Sequence, residues 1–225
     1  MMYLSRLRLS RDPQTLALDA LLTPGEGGER LDAHHRLIWT LFADDPQATR
    51  DFLWCEDGPR GFLVQSARPP QASPLFDPPE IRTHAPDLRP SDQLEFSLRV
   101  NATKTLRRPG ERGTRVDVVM NLLHGLPKHE RNARRMDLAQ VAGAEWLAGQ
   151  GEKAGFTVDR VEVRDYSTQT LPGYRGRRKG EPRFGILDLG GQITVTDPAL
   201  FLPRLKQGFG RAKSFGCGLM LIRRA

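Results

Sequence analysis

One run near the C-terminus limits the fold more than any other feature. It reads Gly208-Phe209-Gly210-Arg211-Ala212-Lys213-Ser214-Phe215-Gly216-Cys217-Gly218 and passes at once into Leu219-Met220-Leu221-Ile222. Glycine permits positive φ and lets a backbone lie against a bulky neighbour. Arg211 and Lys213 mark that neighbour as anionic. A phosphate-binding P-loop has Gly-Lys-Ser/Thr opening a helix after a strand. Here Ala212 precedes Lys213 and only eleven residues follow Ser214, which leaves no room for the rest of a nucleotide fold. The run reads as a basic glycine loop that closes a small domain and lines a groove for a polyanion.

The chain's 225 residues allow one large domain or two small ones, and 38% hydrophobic residues suffice for ordinary cores. A net charge of +7 points to an anionic partner. Arginine supplies 28 of the 34 cations. Its planar fork suits phosphates and guanine edges, although a GC-rich genome also favours arginine codons. Cys55 and Cys217 stand far apart, outside any zinc-ligand spacing, so neither a metal site nor a disulfide is implied. No apolar run reaches transmembrane length, and the start lacks a signal-peptide core. A soluble cytoplasmic protein without membrane contact is expected.

Pattern along the chain repeats. Residues 2–9 alternate as a strand. A helix follows from Leu31 to about Phe42, with Asp32 as a candidate N-cap. Phe52–Cys55 and Gly61–Ser66 read as strands around an Asp57-Gly58 turn. Residues 68–92 hold seven prolines and read as a short helix or irregular loop, before an alternating strand at Leu94–Val100. In the second half, Val116–Val119 reads as a strand, Arg134–Ala154 as a helix, Phe156–Val163 as a strand and Phe184–Val195 as a strand pair or one bent strand. Asp197-Pro198 opens a short helix stopped by Gly208, with Pro203 awkward inside it. The final strand is Gly218–Arg223. This order resembles βαββαβ twice over. It predicts an α+β protein of tandem ferredoxin-like (RRM-like) domains at 1–105 and 106–225.

Several clusters could carry chemistry. His34 and His35 are adjacent on a helix and diverge by about 100°, so at most one serves a given site. They lack the His-x-x-x-His spacing of a metal pair. One could pack in the core, or one could act as an acid or base near neutral pH. Asp32 shares the face of His35 and could raise its pKa or orient it, or only cap the helix. His124 and His129 read as solvated. Arg175, Arg177, Arg178 and Lys179 form a basic tip, either a solvated loop or an element that enters a nucleic-acid groove. Asn101 to Lys104, with Arg107 and Arg108, ends a strand with groups that contact phosphates, or forms a linker. Arg60-Gly61-Phe62-Leu63-Val64 is a fragment of an RNA-recognition motif without its further aromatics and reads as core.

Three stretches carry a family resemblance: Met2-Tyr3-Leu4-Ser5-Arg6; Asp32 to Phe42 with Arg50-Asp51-Phe52-Leu53; and Phe96 to Lys104 with Gln207 to Leu219. In these the chain resembles the CasE family, the CRISPR repeat endoribonuclease of the type I-E Cascade system. The resemblance implies two ferredoxin-like domains and metal-independent cleavage of precursor RNA at the base of a repeat hairpin, without a cofactor. It also implies retention of the guide RNA beside other Cascade subunits. It places the catalytic histidine at His35 and the hairpin-binding basic loop at Tyr174–Lys179. The family's tyrosine three residues before the histidine is Asp32 here, and a lysine found five residues after it in some members is Thr40. In such a reaction the ribose 2′-hydroxyl attacks the adjacent phosphorus and leaves a 2′,3′-cyclic phosphate and a 5′-hydroxyl. His35 would be the acid or base, Asp32 its orienter, and Arg36, Lys104, Arg211 or Lys213 the charge stabilisers, with Ser214 among the RNA contacts. The alternative is an RNA-binding subunit of the same superfamily that does not cut.

Overall fold

In the computed structural model, residues 2–25, 27–43, 47, 49–107, 110, 112–170 and 183–225 are described. The chain forms two compact units. One takes in the residues up to Pro86 and regains the chain at Ala212–Leu219; the other comprises Asp87–Gln169, Arg183–Arg211 and Met220–Ala225.

The first unit runs β1 (Tyr3–Arg8), α1 (Pro13–Ala17), α2 (Asp19–Leu22), α3 (Gly28–Trp39), a 3₁₀ turn at Thr40–Phe42, β2 (Phe52–Glu56), β3 (Gly61–Ser66) and β4 (Glu80–Thr83). Its sheet has the order β2-β3-β1-β4, with every pairing antiparallel. The first and third strands are therefore central and the other two form the edges, the arrangement of a ferredoxin-like sheet. Leu7, Trp54, Phe62 and Val64 of the sheet are buried, as are Leu31, Leu37 and Ile38 of α3, and His34 of α3 meets Trp54 and Phe62. Gly58 forms the expected turn with φ +74°.

The second unit runs β5 (Gln93–Val100), β6 (Thr103–Leu106), β7 (Thr114–Asp117), α4 (Val118–Leu123), α5 (Arg135–Ala154), β8 (Phe156–Thr170), β9 (Arg183–Val195), α6 (Pro198–Gln207) and β10 (Met220–Arg224). Its main sheet has the order β10-β5-β9-β8, again with the sheet's first and third strands in chain order, β5 and β9, inside, while β6 and β7 pair as a separate hairpin. Leu94, Phe96, Leu98 and Val100 alternate into the core, as period two requires. Helix α5 lies close to the sheet because Gly143 has no side chain: a Cβ there would stand 2.9 Å from Val163 Cγ2.

The α+β class with tandem ferredoxin-like units is as the sequence predicts. Three local expectations are corrected. Leu94–Val100, read with the first half, pairs with β9 and β10 and opens the second sheet; the units part after Pro86, ahead of the expected 105. The first sheet takes its fourth strand from Glu80–Thr83, inside the proline-rich stretch. That strand is exposed throughout and lies on the edge, where prolines nearby are tolerated and no apolar alternation is required. Val118 and Val119, read as strand, begin α4. Asp117 stops β7 there by accepting hydrogen bonds from the Val119 and Met120 amides at 2.9 Å each, the geometry of a helix N-cap. Helix α6 begins at Pro198, with the Asp197 carboxylate accepting from Ala199 N, and continues through Pro203 to Gly208.

Asp117 has a second task. Its carboxylate accepts from the buried Tyr166 hydroxyl at 3.0 Å. Burial, and then the Asp117 charge, push the Tyr166 phenol above its ordinary pKa. Asp117→Ala removes a cap and the acceptor of a buried hydroxyl, so a loss of about 2 kcal/mol is expected. Urea unfolding checks this; an unchanged midpoint would show that the cap and the hydroxyl carry no net stability.

Candidate active site

Helix α3 starts at Gly28 behind Gly27, whose φ is +85°. Asp32 is therefore in the helix interior and is not its N-cap, a correction to the sequence expectation. Glycine ahead of the helix is what moves its start upstream.

The two histidines separate as neighbours on a helix must. His34 is 4% exposed and faces the core. Its Nδ1 lies 3.1 Å from Glu56 Oε1, and its ring meets Phe62 and Trp54 edge-on. His35 is half-buried. Its ring centroid is 6.0 Å from Trp39 and 5.9 Å from Phe52, and its Nδ1 is buried with no hydrogen bond. Its pKa lies below the ordinary value of 6.5 because of burial first and the Arg50 charge second; the Asp32 charge pulls the other way. Asp32 acts on His35 through charge. Its carboxylate is engaged at 3.0 Å by Arg36 Nη2, one turn along the helix.

The glycine run supplies the next part. Ala212 and Gly216, with φ +52° and +70°, bracket a 3₁₀ turn at Lys213–Phe215, and this turn packs against α3 and β2. Ser214 Oγ accepts a hydrogen bond of 3.1 Å from Arg50 Nη1. Arg50 lies just ahead of β2, half-buried, and burial draws its guanidinium below the ordinary pKa. Thr40 donates its hydroxyl to Leu37 O at 2.7 Å.

The first unit thus brings together His35, Asp32, Arg36, Lys213 and Ser214 from the sequence-predicted set. Lys104, Arg107 and Arg211 belong to the second unit and are exposed. Arg211 is held there by its backbone, which donates to Asn101 O at 3.1 Å. Gly210 makes this possible, since a Cβ would stand 2.4 Å from Val100 Cγ2. Arg108 and the basic cluster Arg175, Arg177, Arg178 and Lys179 lie outside the described residues. Arg50 escaped the sequence reading as a site residue, because a lone arginine before a strand carries no spacing signal. Among the described residues no three acidic, histidine or cysteine side chains gather as a metal site, and no helix is long and apolar enough to cross a membrane.

Comparison with known proteins now bears on this arrangement. The family described as CRISPR associated protein matches residues 2–224. The chain belongs to that family. It is 27% identical over 193 residues to the CRISPR system Cascade subunit CasE of Escherichia coli, an alignment covering 84% of this chain and 89% of that protein. Its fold is similar to that of the CRISPR endoribonuclease Cse3 bound to a 19-nucleotide RNA, with a TM-score of 0.67, 21% identity and coverage of 99% and 100% of the two chains. A Thermus thermophilus Cse3 bound to an RNA representing a pre-cleavage complex gives a TM-score of 0.63 at 22% identity, covering 99% of this chain and 98% of that one. These structural likenesses establish the tandem ferredoxin-like fold of a CRISPR-associated protein.

The charges around His35 have opposite effects that can be separated. Asp32→Asn removes a negative charge that raises the imidazole pKa, so the ring should titrate at lower pH than in the wild type. An NMR titration of the His35 ring protons measures this. A pKa that stays put or rises would contradict the assignment of Asp32 as an electrostatic neighbour.

Proposed function

We propose that this chain is an endoribonuclease that cuts CRISPR precursor RNA at the base of the repeat hairpin. It then stays bound to the guide RNA, in the cytoplasm, as a subunit beside other Cascade subunits. The observation that carries this reading is the environment of His35. A half-buried imidazole lies among aromatic rings with Arg50 beside it and with the Lys213–Phe215 turn packed on its helix. Membership of the CRISPR-associated family and the names of the relatives support the same substrate.

The chemistry follows from RNA. The 2′-hydroxyl oxygen forms a bond to the adjacent phosphorus while the bond from phosphorus to the 5′-oxygen breaks. The products are a 2′,3′-cyclic phosphate and a 5′-hydroxyl. One proton leaves the 2′-oxygen and one reaches the departing 5′-oxygen. A pKa below 6.5 keeps His35 mostly neutral at pH 7, the form that accepts a proton. With Nδ1 enclosed, Nε2 is the nitrogen left for the exchange. Cations beside the ring stabilise the phosphoryl oxygens. No step calls on a metal or a cofactor. Lys104, Arg107, Arg108, Arg211 and the cluster Arg175, Arg177, Arg178 and Lys179 hold the RNA through phosphate contacts, the cluster entering the hairpin groove.

A labelled repeat hairpin incubated with the protein in EDTA tests this. The wild type should cut. His35→Ala should bind with unchanged affinity and cut about 100- to 10,000-fold more slowly; wild-type cutting by that variant would reject the role of His35. Tight binding without any wild-type cutting would instead identify a binding subunit. In a parallel arm, neutralising Arg175, Arg177, Arg178 and Lys179 should weaken binding and flatten its salt dependence. An unchanged affinity and slope would reject groove entry.

A further inference from the structure

Arginines of the first unit divide into those with a carboxylate partner and those without. Arg6, Arg30, Arg36, Arg60 and Arg68 pair with Asp57, Glu56, Asp32, Asp19 and Asp51 respectively. Arg50 is half-buried and, among the described residues, pairs with no carboxylate. Its neighbour in sequence, Asp51, gives its carboxylate to Arg68 Nε at 2.9 Å. Taking a cation partly out of water without a counter-ion costs free energy that an anion arriving from outside would offset. Arg50 is also anchored. One of its five N–H donors goes to Ser214 Oγ, which fixes the planar group while leaving donors for a phosphate. Its charge is felt at the His35 ring, where it opposes protonation.

We propose that Arg50 is a catalytic residue of this site, holding the scissile phosphate against His35 and stabilising the charge that builds on its non-bridging oxygens. This rests on the endoribonuclease reading above. As the 2′-oxygen bonds to phosphorus, negative charge accumulates on the two non-bridging oxygens until the 5′-oxygen departs. A docked guanidinium meets that charge without reorganising. Ser214 is the positioning residue that docks it, and this gives the C-terminal glycine run a part in the reaction beyond RNA affinity. Thr40 on α3 bonds its own helix, and Arg50 supplies the charge from the segment ahead of β2.

Single-turnover cleavage of the repeat hairpin by Arg50→Gln and Arg50→Lys, with hairpin affinity measured alongside, tests the assignment. Arg50→Gln should cut about 100-fold more slowly or worse, the usual loss of one preorganised charge donor, with hairpin affinity changed by less than about threefold because this is one phosphate contact among many. Arg50→Lys keeps the charge and should recover part of the rate. The pH profile gives a separate readout. The charged groups around His35 are Asp32 and Arg36 on its own helix, Arg50 ahead of β2 and Lys213 on the packed turn. Without Arg50 the acid limb of the rate profile should move to higher pH. Arg50→Gln cutting within about threefold of wild type overturns the proposal, as does an Arg50→Lys variant no faster than Arg50→Gln, or an acid limb that does not move. If Arg50→Gln cuts normally while His35→Ala does not, the Arg50 role alone falls. If the wild type does not cut, the endoribonuclease reading falls and takes Arg50 with it.

Discussion

Gly216 lies flat against the indole of Trp54. A Cβ on that glycine would stand 3.2 Å from the ring, and its φ of +70° is one that side chains resist. This contact allows a turn from the far end of the sequence to settle on α3 and β2. Trp54 is fully buried and braces α3 from within through the edge of His34. One indole therefore supports both the helix that bears His35 and the turn that bears Lys213 and Ser214. The hydrogen bond from Arg50 to Ser214 is available only because that backbone comes so close.

The paired histidines show how one helix serves core and site together. His34 turns inward, where its Nδ1 lies 3.1 Å from Glu56 Oε1 and two aromatic edges enclose it. His35, about 100° round the helix, keeps a half-exposed ring. The Asp32 carboxylate is also engaged by Arg36, and among the described residues no carboxylate hydrogen-bonds to the ring to oppose burial and Arg50. The balance favours the neutral form of the imidazole.

Much of the architecture was legible in the sequence because its signals are local. Period-two alternation marks β1, β5 and the start of β8; Asp197-Pro198 and Gly208 mark the ends of α6; and the glycine run announces its own positive-φ backbone. What escaped was set by pairing rather than pattern. Leu94–Val100 reads as a strand in either half, and only its ladder with β9 and β10 assigns it. Glu80–Thr83 is an exposed edge with no apolar face to announce it. Asp32 reads as a cap until the glycine before α3 starts the helix a turn earlier. Within the site, His35, Lys213 and Ser214 carried type and context, whereas Arg50 gains its meaning from a hydrogen bond spanning 164 positions of sequence.

In the proposed reaction, the site at His35 turns the RNA's own 2′-oxygen into the nucleophile. The most direct test is a repeat hairpin carrying one 2′-deoxy substitution at the nucleotide that precedes the cut, compared with the all-ribose hairpin at equal occupancy in EDTA. The deoxy hairpin should bind unchanged and should not be cut at that position. Cleavage of the deoxy substrate there at a comparable rate would require another nucleophile and would contradict it.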